Sequence, residues 1–277
     1  MWLDYCKTFK NKIITEYTKF LNKRINIENP ILFTEKVQWL KIYDSSFLKT
    51  FCTDKITVHD YVKEKIGKDI CVPILKIYDK PEEIKLDELP NQFVIKCNHA
   101  CQMNIIVKDK NNFNLSLAKQ TLNKWLKEDY SQNIGYELHY KNIPHRILVE
   151  EYKENQGHSD LIDYKFYCFN GNPIFCQVIT DRHSGEKISH YDMDWNYRPE
   201  YDWINFSSVS NLQKPKHYSK MIEYAKILSK DFKLVRVDFY EIDDKIYLGE
   251  LTFTPMAGYI KYKNPNTNLQ LGNLLKL

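Results

Sequence analysis

Apolar residues recur at helical spacing in the first quarter of the chain. One stripe consists of Val58, Tyr61, Val62 and Ile66. Positions three and four apart lie on one side of a helix, so this stripe predicts a helix with a buried face. The preceding Thr53-Asp54 offers side-chain oxygens that can cap its first turn. We therefore predict that residues 1–66 are mainly helical.

Alternation of apolar and polar residues predicts strands farther along the chain. Residues 92–96 and 104–107 have the pattern of two short strands that flank residues 97–103. Residues 146–152 form a third such segment, which ends in acids. A helical stripe between them predicts a helix from 116 to about 128.

The middle of the chain carries a clear hairpin signal. Residues 163–169 and 173–179 alternate as strands and are joined by Asn170-Gly171. This dipeptide accepts the positive φ angles of a type I′ turn. A helical stripe follows at 218–229. Helices and antiparallel strands in this order predict an α+β fold.

A second hairpin is predicted near the C-terminus, from strands at 234–240 and 246–253. We expect a three-residue loop at 243–245, which makes Ile242 face Ile246. Counting outward from that loop gives one face that is apolar at every pair. Such a face is what a sheet buries against a core.

The opposite face of this hairpin collects polar residues. The register places Asp238 opposite Glu250 and Arg236 opposite Thr252. Carboxylates directly opposite each other repel unless a positive charge lies between them. Mg²⁺ accepts one or two carboxylates and completes its shell with water and phosphate oxygens. The alternative is a solvated strand face on which Arg236 is an ordinary ion partner.

Composition narrows the class of protein. The chain has 277 residues and a net charge of only +4, with basic and acidic residues interspersed, which argues against a dedicated nucleic-acid binder. No apolar run is long enough for a transmembrane segment or a signal peptide, so we expect a cytoplasmic protein. Seven cysteines without a CxxC pair argue against a disulfide scaffold and against a zinc site.

Several strings of residues together resemble one family. Arg236-Val-Asp238 followed by Gly249-Glu-Leu-Thr-Phe-Thr-Pro255 looks like the metal-binding hairpin of ATP-grasp enzymes. Further strings resemble the TupA-like branch, named for teichuronopeptide biosynthesis. These strings lie at 33–43, 54–55, 89–99 and 163–171.

The resemblance implies an ATP-grasp fold, in which two α+β lobes with antiparallel sheets clamp ATP. It divides the chain into a mainly helical N-terminal region at 1–88, a lid lobe at 89–152 and a C-terminal lobe at 153–277. The cofactors that it implies are ATP and Mg²⁺. Asp238, Glu250 and Thr252 would hold the metal, with threonine where many ATP-grasp enzymes have asparagine.

The resemblance also implies roles on the lid lobe. Lys96 is similar to a lysine that contacts ATP phosphates, although a surface lysine is the alternative. Glu150, Glu151 and Tyr152 resemble the hinge between the lobes, whose backbone and acid hold adenine and ribose. The alternative for these three is an acidic strand end.

Charged residues of the C-terminal lobe gain roles in the same way. Lys165 and Arg182 would meet phosphates, and Asp163 would share the face of Lys165. The alternative is a cross-strand ion pair. Arg236 resembles the arginine that steadies the charge on an acyl-phosphate.

Two further residues are weaker candidates for nucleotide contacts. Lys55 occurs where the family has a phosphate-side or substrate-side lysine, but Asp54 and Lys55 also suit a helix cap. His99 follows the Lys96 strand and is placed to donate to a phosphate oxygen. A local hydrogen bond is the alternative for this histidine.

The implied activity is a carboxylate-amine ligase that forms an amide through an acyl-phosphate in surface-polysaccharide biosynthesis. Its partners would be ATP and small-molecule or saccharide acids and amines, which the sequence does not identify. The segment Ala100-Cys-Gln-Met103 lacks the glycine expected in a phosphate loop, which leaves a catalytically degenerate binding protein as one alternative. The acid-x-acid string Asp192-Met-Asp194 leaves a glycosyltransferase as another.

Overall fold

The computed structural model of the protein describes residues 2–154, 161–182 and 184–277. Its first 66 residues are mainly helical, as expected. The five helices of this region are α1 (Trp2–Thr8), α2 (Lys10–Leu21), α3 (Phe33–Tyr43), α4 (Phe47–Thr53) and α5 (Val58–Ile66). No described helix is long and apolar enough to cross a membrane.

The expected cap of α5 is wrong. Helix α4 ends at Thr53, and α5 begins at Val58, so Thr53-Asp54 closes one helix instead of opening the next. The Asp54 carboxylate accepts hydrogen bonds from the Ile56 backbone N–H at 2.9 Å and from the Asn98 side chain at 2.8 Å. Asp54 therefore links the helical N-terminal region to Asn98, which lies just beyond the strand that follows Pro90.

A small antiparallel sheet follows. Its strands are β1 (Ile74–Tyr78), β2 (Phe93–Cys97), β3 (Asn104–Val107) and β4 (Ile147–Glu151), in the order β1-β4-β2-β3, and helix α6 (Leu115–Trp125) lies between β3 and β4 in sequence. The predicted strands at 92–96, 104–107 and 146–152 and the predicted helix at 116–128 agree with these elements. Strand β1 lies before residue 89 but pairs with β4. The division of the chain into three regions stays a prediction.

The larger antiparallel sheet contains five strands. They are β5 (Asp163–Phe169), β6 (Asn172–Thr180), β7 (Lys187–Tyr191), β8 (Leu234–Ile242) and β9 (Lys245–Thr252), in the order β7-β6-β5-β8-β9. Helix α7 (Tyr218–Ser229) precedes β8. Asn170 and Gly171 have φ angles of 50° and 79°, as the predicted I′ turn requires.

Both faces of this sheet are partly buried. Phe166 and Val237 lie in a core shared with α5 and α7, whereas Tyr167 and Phe169 pack with residues of α3 and the C-terminus. Alternate residues of a strand point to opposite faces. The second face therefore has an apolar end under α3 and a polar end that begins at Lys165.

The last helix, α8 (Thr267–Leu274), packs against the start of α3 at very close range. A Cβ on Gly272 would be 2.0 Å from the Ile31 carbonyl oxygen. The Lys36 ammonium donates to the carbonyls of Gly272 at 2.7 Å and Leu275 at 2.6 Å. A cation at the last carbonyls of a helix stabilises its C-terminus. This contact fixes the start of α3 against α8.

Candidate nucleotide and metal site

The C-terminal hairpin has the predicted pairing at its polar face. Asp238 is opposite Glu250, and Arg236 is opposite Thr252. The predicted three-residue loop is wrong, because Ile242 pairs with Lys245 across a two-residue turn. Both turn residues have positive φ angles, as in a type I′ turn.

A β-bulge between the turn and the two acids shifts the register by one residue, so that Asp238 lies opposite Glu250 despite the shorter turn. The pairing shifts after Asp238, so that Phe239 pairs with Leu248 and Gly249 has no partner in the register. A bulge adds one residue to one strand. A Cβ on Gly249 would be 2.8 Å from the Tyr240 ring, so this ring packs directly over the glycine at the bulge.

Arg236 connects the metal candidates. Its guanidinium donates to both oxygens of Asp238 at 2.7 Å, to Glu250 at 2.9 Å and to the Thr252 hydroxyl at 3.0 Å. Thr252 donates in turn to Glu250 at 2.7 Å. Lys165 on the neighbouring strand donates to Asp238 at 2.6 Å. Every predicted metal ligand therefore belongs to one hydrogen-bonded network.

Asp163 extends this network along β5. Lys165 lies 3.0 Å from one of its oxygens, and Arg182 donates to the other at 2.6 Å. The ion pairing that was the alternative interpretation of these residues is thus present. Three carboxylates and three cations make up the network, so their formal charges cancel.

The low solvent exposure of its central residues distinguishes this network from ion pairs on an ordinary protein surface. Asp238 is 1% exposed and Arg236 is 8% exposed, whereas the alternative interpretation required a solvated strand face. Taking charges out of water is costly unless they are paired and hydrogen-bonded. Such groups beside a cleft are characteristic of functional sites.

The two facing carboxylates differ electrostatically. Burial raises the pKa of Asp238, against the opposing effect of Arg236 and Lys165. Burial also acts to raise the pKa of Glu250, but the cations of Arg236, Lys165 and Lys55 outweigh it and lower that pKa to about 2. Glu250 is therefore ionised at neutral pH and presents a hard anionic oxygen.

A cleft of about 590 Å³, open to solvent, lies beside this network and between the two sheets. Lys96 and Glu150 of the small sheet form an ion pair in its wall. Glu250 contributes from the larger sheet, and Lys55 from the segment between α4 and α5. Four residues expected around the nucleotide and metal thus line one cleft.

Other predicted residues lie outside this lining. Glu151 pairs with Lys153 at 2.6 Å, and the Tyr152 hydroxyl donates to Glu154 at 2.9 Å. His99 is 1% exposed, and its Nε2 lies 3.3 Å from the Trp125 carbonyl oxygen. The contacts of His99 match the local hydrogen bond that was its alternative.

The glycine-free segment is held against the body of the protein. Lys55 donates to the Ala100 carbonyl at 2.6 Å, and the Cys101 sulfur is 3.1 Å from the Tyr140 hydroxyl. Gln102 has a φ angle of 61°, a conformation that glycine adopts at lower cost. The turn therefore forms without glycine, at the expense of local backbone strain.

The acid-x-acid string of the rival interpretation has a local role. Asp192 accepts backbone N–H groups from Asp194 at 3.0 Å and Asn196 at 2.8 Å, and Asp194 is exposed. A side chain that bonds its own loop in this way stabilises a turn. These contacts do not favour a metal site at Asp192.

Sequence reasoning missed several residues near the site. His59 and Cys71 line the cleft, as do Tyr240 and Leu248. Cys71 reaches it through a parallel bridge to Leu248, a long-range contact with no local sequence signal.

Buried Lys41 is another missed residue. Its ammonium donates to the carbonyls of Gly135 at 2.6 Å and Ala257 at 2.8 Å. Ala257 follows Met256 in a turn after β9, where both have positive φ angles. The string Phe33 to Tyr43 contained Lys41, but its pattern could not show which carbonyls the ammonium reaches.

Acid should destabilise the protein through buried His139. Burial, with the charges of Lys49 and Lys41, lowers its pKa to about 3. The unfolded chain binds this proton near pH 6.5 and the folded chain does not, so stability is lost as pH falls below 6.5. We expect this histidine to lower the free energy of unfolding by about 3 kcal/mol between pH 6.5 and 4. This part of the pH dependence should be missing in His139→Leu. Urea unfolding across this range measures it, and equal pH dependence in both proteins would contradict the assignment.

Lys96 on one antiparallel sheet and the Asp238–Glu250 pair on the other lie at a shared cleft, which is the arrangement expected of an ATP-grasp protein. The chain belongs to the TupA-like ATPgrasp family, whose model matches residues 35–276. No curated protein matches the chain.

Several solved structures are similar in fold. D-cycloserine synthetase DcsG is 11% identical with a TM-score of 0.45, over 88% of this chain and 77% of that chain. The D-alanine–D-alanine ligase of Bacillus anthracis in complex with ATP is 17% identical with a TM-score of 0.41, over 73% and 54%. The corresponding Helicobacter pylori ligase is 13% identical with a TM-score of 0.44, over 82% and 62%. The chain thus spans less than two thirds of either D-alanine ligase, and the likeness concerns the fold alone.

Proposed function

We propose that the protein is an ATP-dependent carboxylate-amine ligase. A substrate carboxylate oxygen attacks the γ-phosphorus of ATP, which releases ADP and gives an acyl-phosphate. An amine then attacks the acyl carbon, phosphate leaves, and the amine loses a proton as the amide forms. The observation that carries this proposal is the pairing of buried Asp238 with Glu250 and Arg236, beside a cleft that Lys55 and Lys96 also line.

The donor set suits Mg²⁺. Asp238 and Glu250 supply carboxylate oxygens and Thr252 supplies a hydroxyl, which are the hard ligands that this ion prefers. We assign these three residues to hold it. When bound, the ion would offset the negative charge of the transferring phosphate.

The cations have a separate task. Lys96 and Lys55 would bind phosphate oxygens from the side of the small sheet, and Lys165 and Arg182 from the larger sheet. Arg236 would stabilise the charge that develops at the acyl-phosphate, because its planar guanidinium stays ionised. Fixed charges in a partly dry cleft act more strongly than the same charges in water.

The end of β4 would hold the nucleoside. Glu150 reaches the cleft wall and is placed to accept from a ribose hydroxyl. The backbone at Glu151 and Tyr152 would meet the adenine edge. Asp163 would orient Lys165 and Arg182 through the ion pairs already described, and His99 would support the loop from behind.

The substrates that we propose belong to surface-polysaccharide biosynthesis in the cytoplasm. An amino acid or another amine would be joined to a carboxylate, such as that of a uronic-acid sugar. Support comes from membership of the TupA-like family, which is named for teichuronopeptide synthesis.

Calorimetric titration of Mg-ATP tests the nucleotide site. We expect binding by the wild type that depends on Mg²⁺ and is abolished in Asp238→Asn/Glu250→Gln. Phosphate release in the presence of amino acids and uronic acids then tests the ligase step. No binding by folded wild type would overturn the proposal, and turnover of UDP-sugars without ATP would favour a glycosyltransferase.

The strained Gln102 supports a second candidate, a nucleotide-binding protein without turnover. A glycine-free turn keeps its backbone N–H groups farther from phosphate. This role would be favoured if the protein binds Mg-ATP but releases no phosphate in the presence of any acid and amine that is tested. Gain of phosphate release in Gln102→Gly would then locate the defect in this turn.

A further inference from the structure

Three metal-ligand side chains from different segments meet in the wall of the cleft. His59 belongs to the first turn of α5, Asp69 to the loop after α5, and Cys71 to the isolated bridge with Leu248. One potential ligand atom from each lies within 4.8 Å of the other two. Tetrahedral sites with bonds of about 2.0–2.3 Å have ligand atoms somewhat closer together, so a small contraction would close this group on an ion.

The three side chains are held in place by local contacts. One Asp69 oxygen lies 2.7 Å from His59 Nδ1, and the other accepts the Cys71 backbone N–H at 2.9 Å. The Leu248 N–H donates to the Ile70 carbonyl at 2.7 Å, which fixes the loop to β9. His59 therefore lies on a helix, and the loop that carries Asp69 and Cys71 is anchored to a strand, so the group is better ordered than one on a free loop.

The donors point to one class of ion. An imidazole nitrogen, a carboxylate oxygen and a thiolate sulfur together suit Zn²⁺ better than Mg²⁺, which takes oxygen ligands. Three protein ligands leave a fourth position for water or another small ligand. His59 and Cys71 both line the cleft, so this position has access to it.

We propose that His59, Asp69 and Cys71 form a Zn²⁺-class site in the wall of the nucleotide cleft. This site is separate from the Asp238–Glu250 pair in residues and in donor chemistry. No sequence motif indicates it, because the ligands are spaced ten and two residues apart and include no CxxC pair.

Titration of the reduced full-length protein with Co²⁺ tests the proposal. A thiolate ligand gives a sulfur-to-cobalt charge-transfer band, and four-coordinate Co²⁺ gives intense d–d bands. We expect one equivalent to produce both in the wild type, and Zn²⁺ to remove them by displacement. Cys71→Ser should lose the charge-transfer band, and His59→Gln should bind at least about tenfold more weakly.

Cys52→Ser is the matched control. Cys52 lines the same cleft and is buried, but it is not part of the group, so its variant should keep both bands. Circular dichroism confirms folding of each variant. Absence of the bands in folded wild type, or their persistence in Cys71→Ser, would overturn the metal site. Mg-ATP titration of Cys71→Ser tests the ligase proposal separately, because that variant leaves Asp238 and Glu250 unchanged.

Discussion

Glu250→Gln is expected to lower the rate of Mg²⁺-dependent phosphate release by at least about 100-fold, equivalent to about 2.7 kcal/mol of transition-state stabilisation. The change keeps the size of the side chain and its bond from Thr252 but removes the anionic oxygen. Glu250 is the metal candidate that also lines the cleft, and its pKa of about 2 keeps it ionised. Phosphate release measured against Mg²⁺ concentration should show both a lower rate and a weaker metal dependence.

Asp244→Asn is the control for this prediction. It makes the same chemical change on the same hairpin, at an exposed turn residue that pairs with Lys216 at 2.8 Å. Asparagine tolerates the positive φ of this turn, so activity should stay within about twofold. A Glu250→Gln protein as active as Asp244→Asn would contradict the assignment of Glu250 to the metal.

Gly272→Ala is expected to destabilise the protein by about 3 kcal/mol or more. The added Cβ would lie 2.0 Å from the Ile31 carbonyl oxygen and 2.9 Å from the Phe33 nitrogen. These are backbone atoms, so relief requires α8 and α3 to move apart. The free energy of unfolding in urea measures the loss.

Asn273→Ala provides the comparison at the next position of α8. Asn273 is exposed, and alanine has a higher helix propensity, so stability should stay equal or rise by a few tenths of a kcal/mol. Similar stabilities of the Gly272→Ala and Asn273→Ala variants would contradict this prediction. They would show that the contact between α8 and the start of α3 has room for a Cβ at position 272.

The pairing on the polar face of the C-terminal hairpin was predicted correctly because two errors cancel. The turn is one residue shorter than predicted, and a bulge that was not predicted adds one residue. Alternation fixed which residues share a face, and the separation of Asp238 from Glu250 fixed their pairing. The same separation fits a three-residue loop without a bulge or a two-residue turn with one. Alternation does not distinguish these geometries, although Asp243-Asp244 accepts the left-handed conformation that the shorter turn needs.

Contacts between distant segments were beyond sequence reasoning. The pairing of Lys96 with Glu150 depends on β2 and β4 being neighbours, and the bridge from Cys71 to Leu248 depends on the packing of both sheets. Periodicity gives the face of an element but not its partner. His99 shows the same limit, because its place after β2 suggested the cleft whereas its ring stacks on His145 at 3.6 Å.

The pairing of several proposed ligand-binding cations with carboxylates has a consequence for ligand discrimination. Lys96 is bonded to Glu150, and Arg236 and Lys165 are bonded to Asp238. A nucleotide without metal would draw these cations away and leave carboxylates facing one another. A metal without nucleotide would take the carboxylates and leave buried cations without partners. Either half alone is penalised, so we expect the nucleotide and the metal to bind together more tightly than either binds alone.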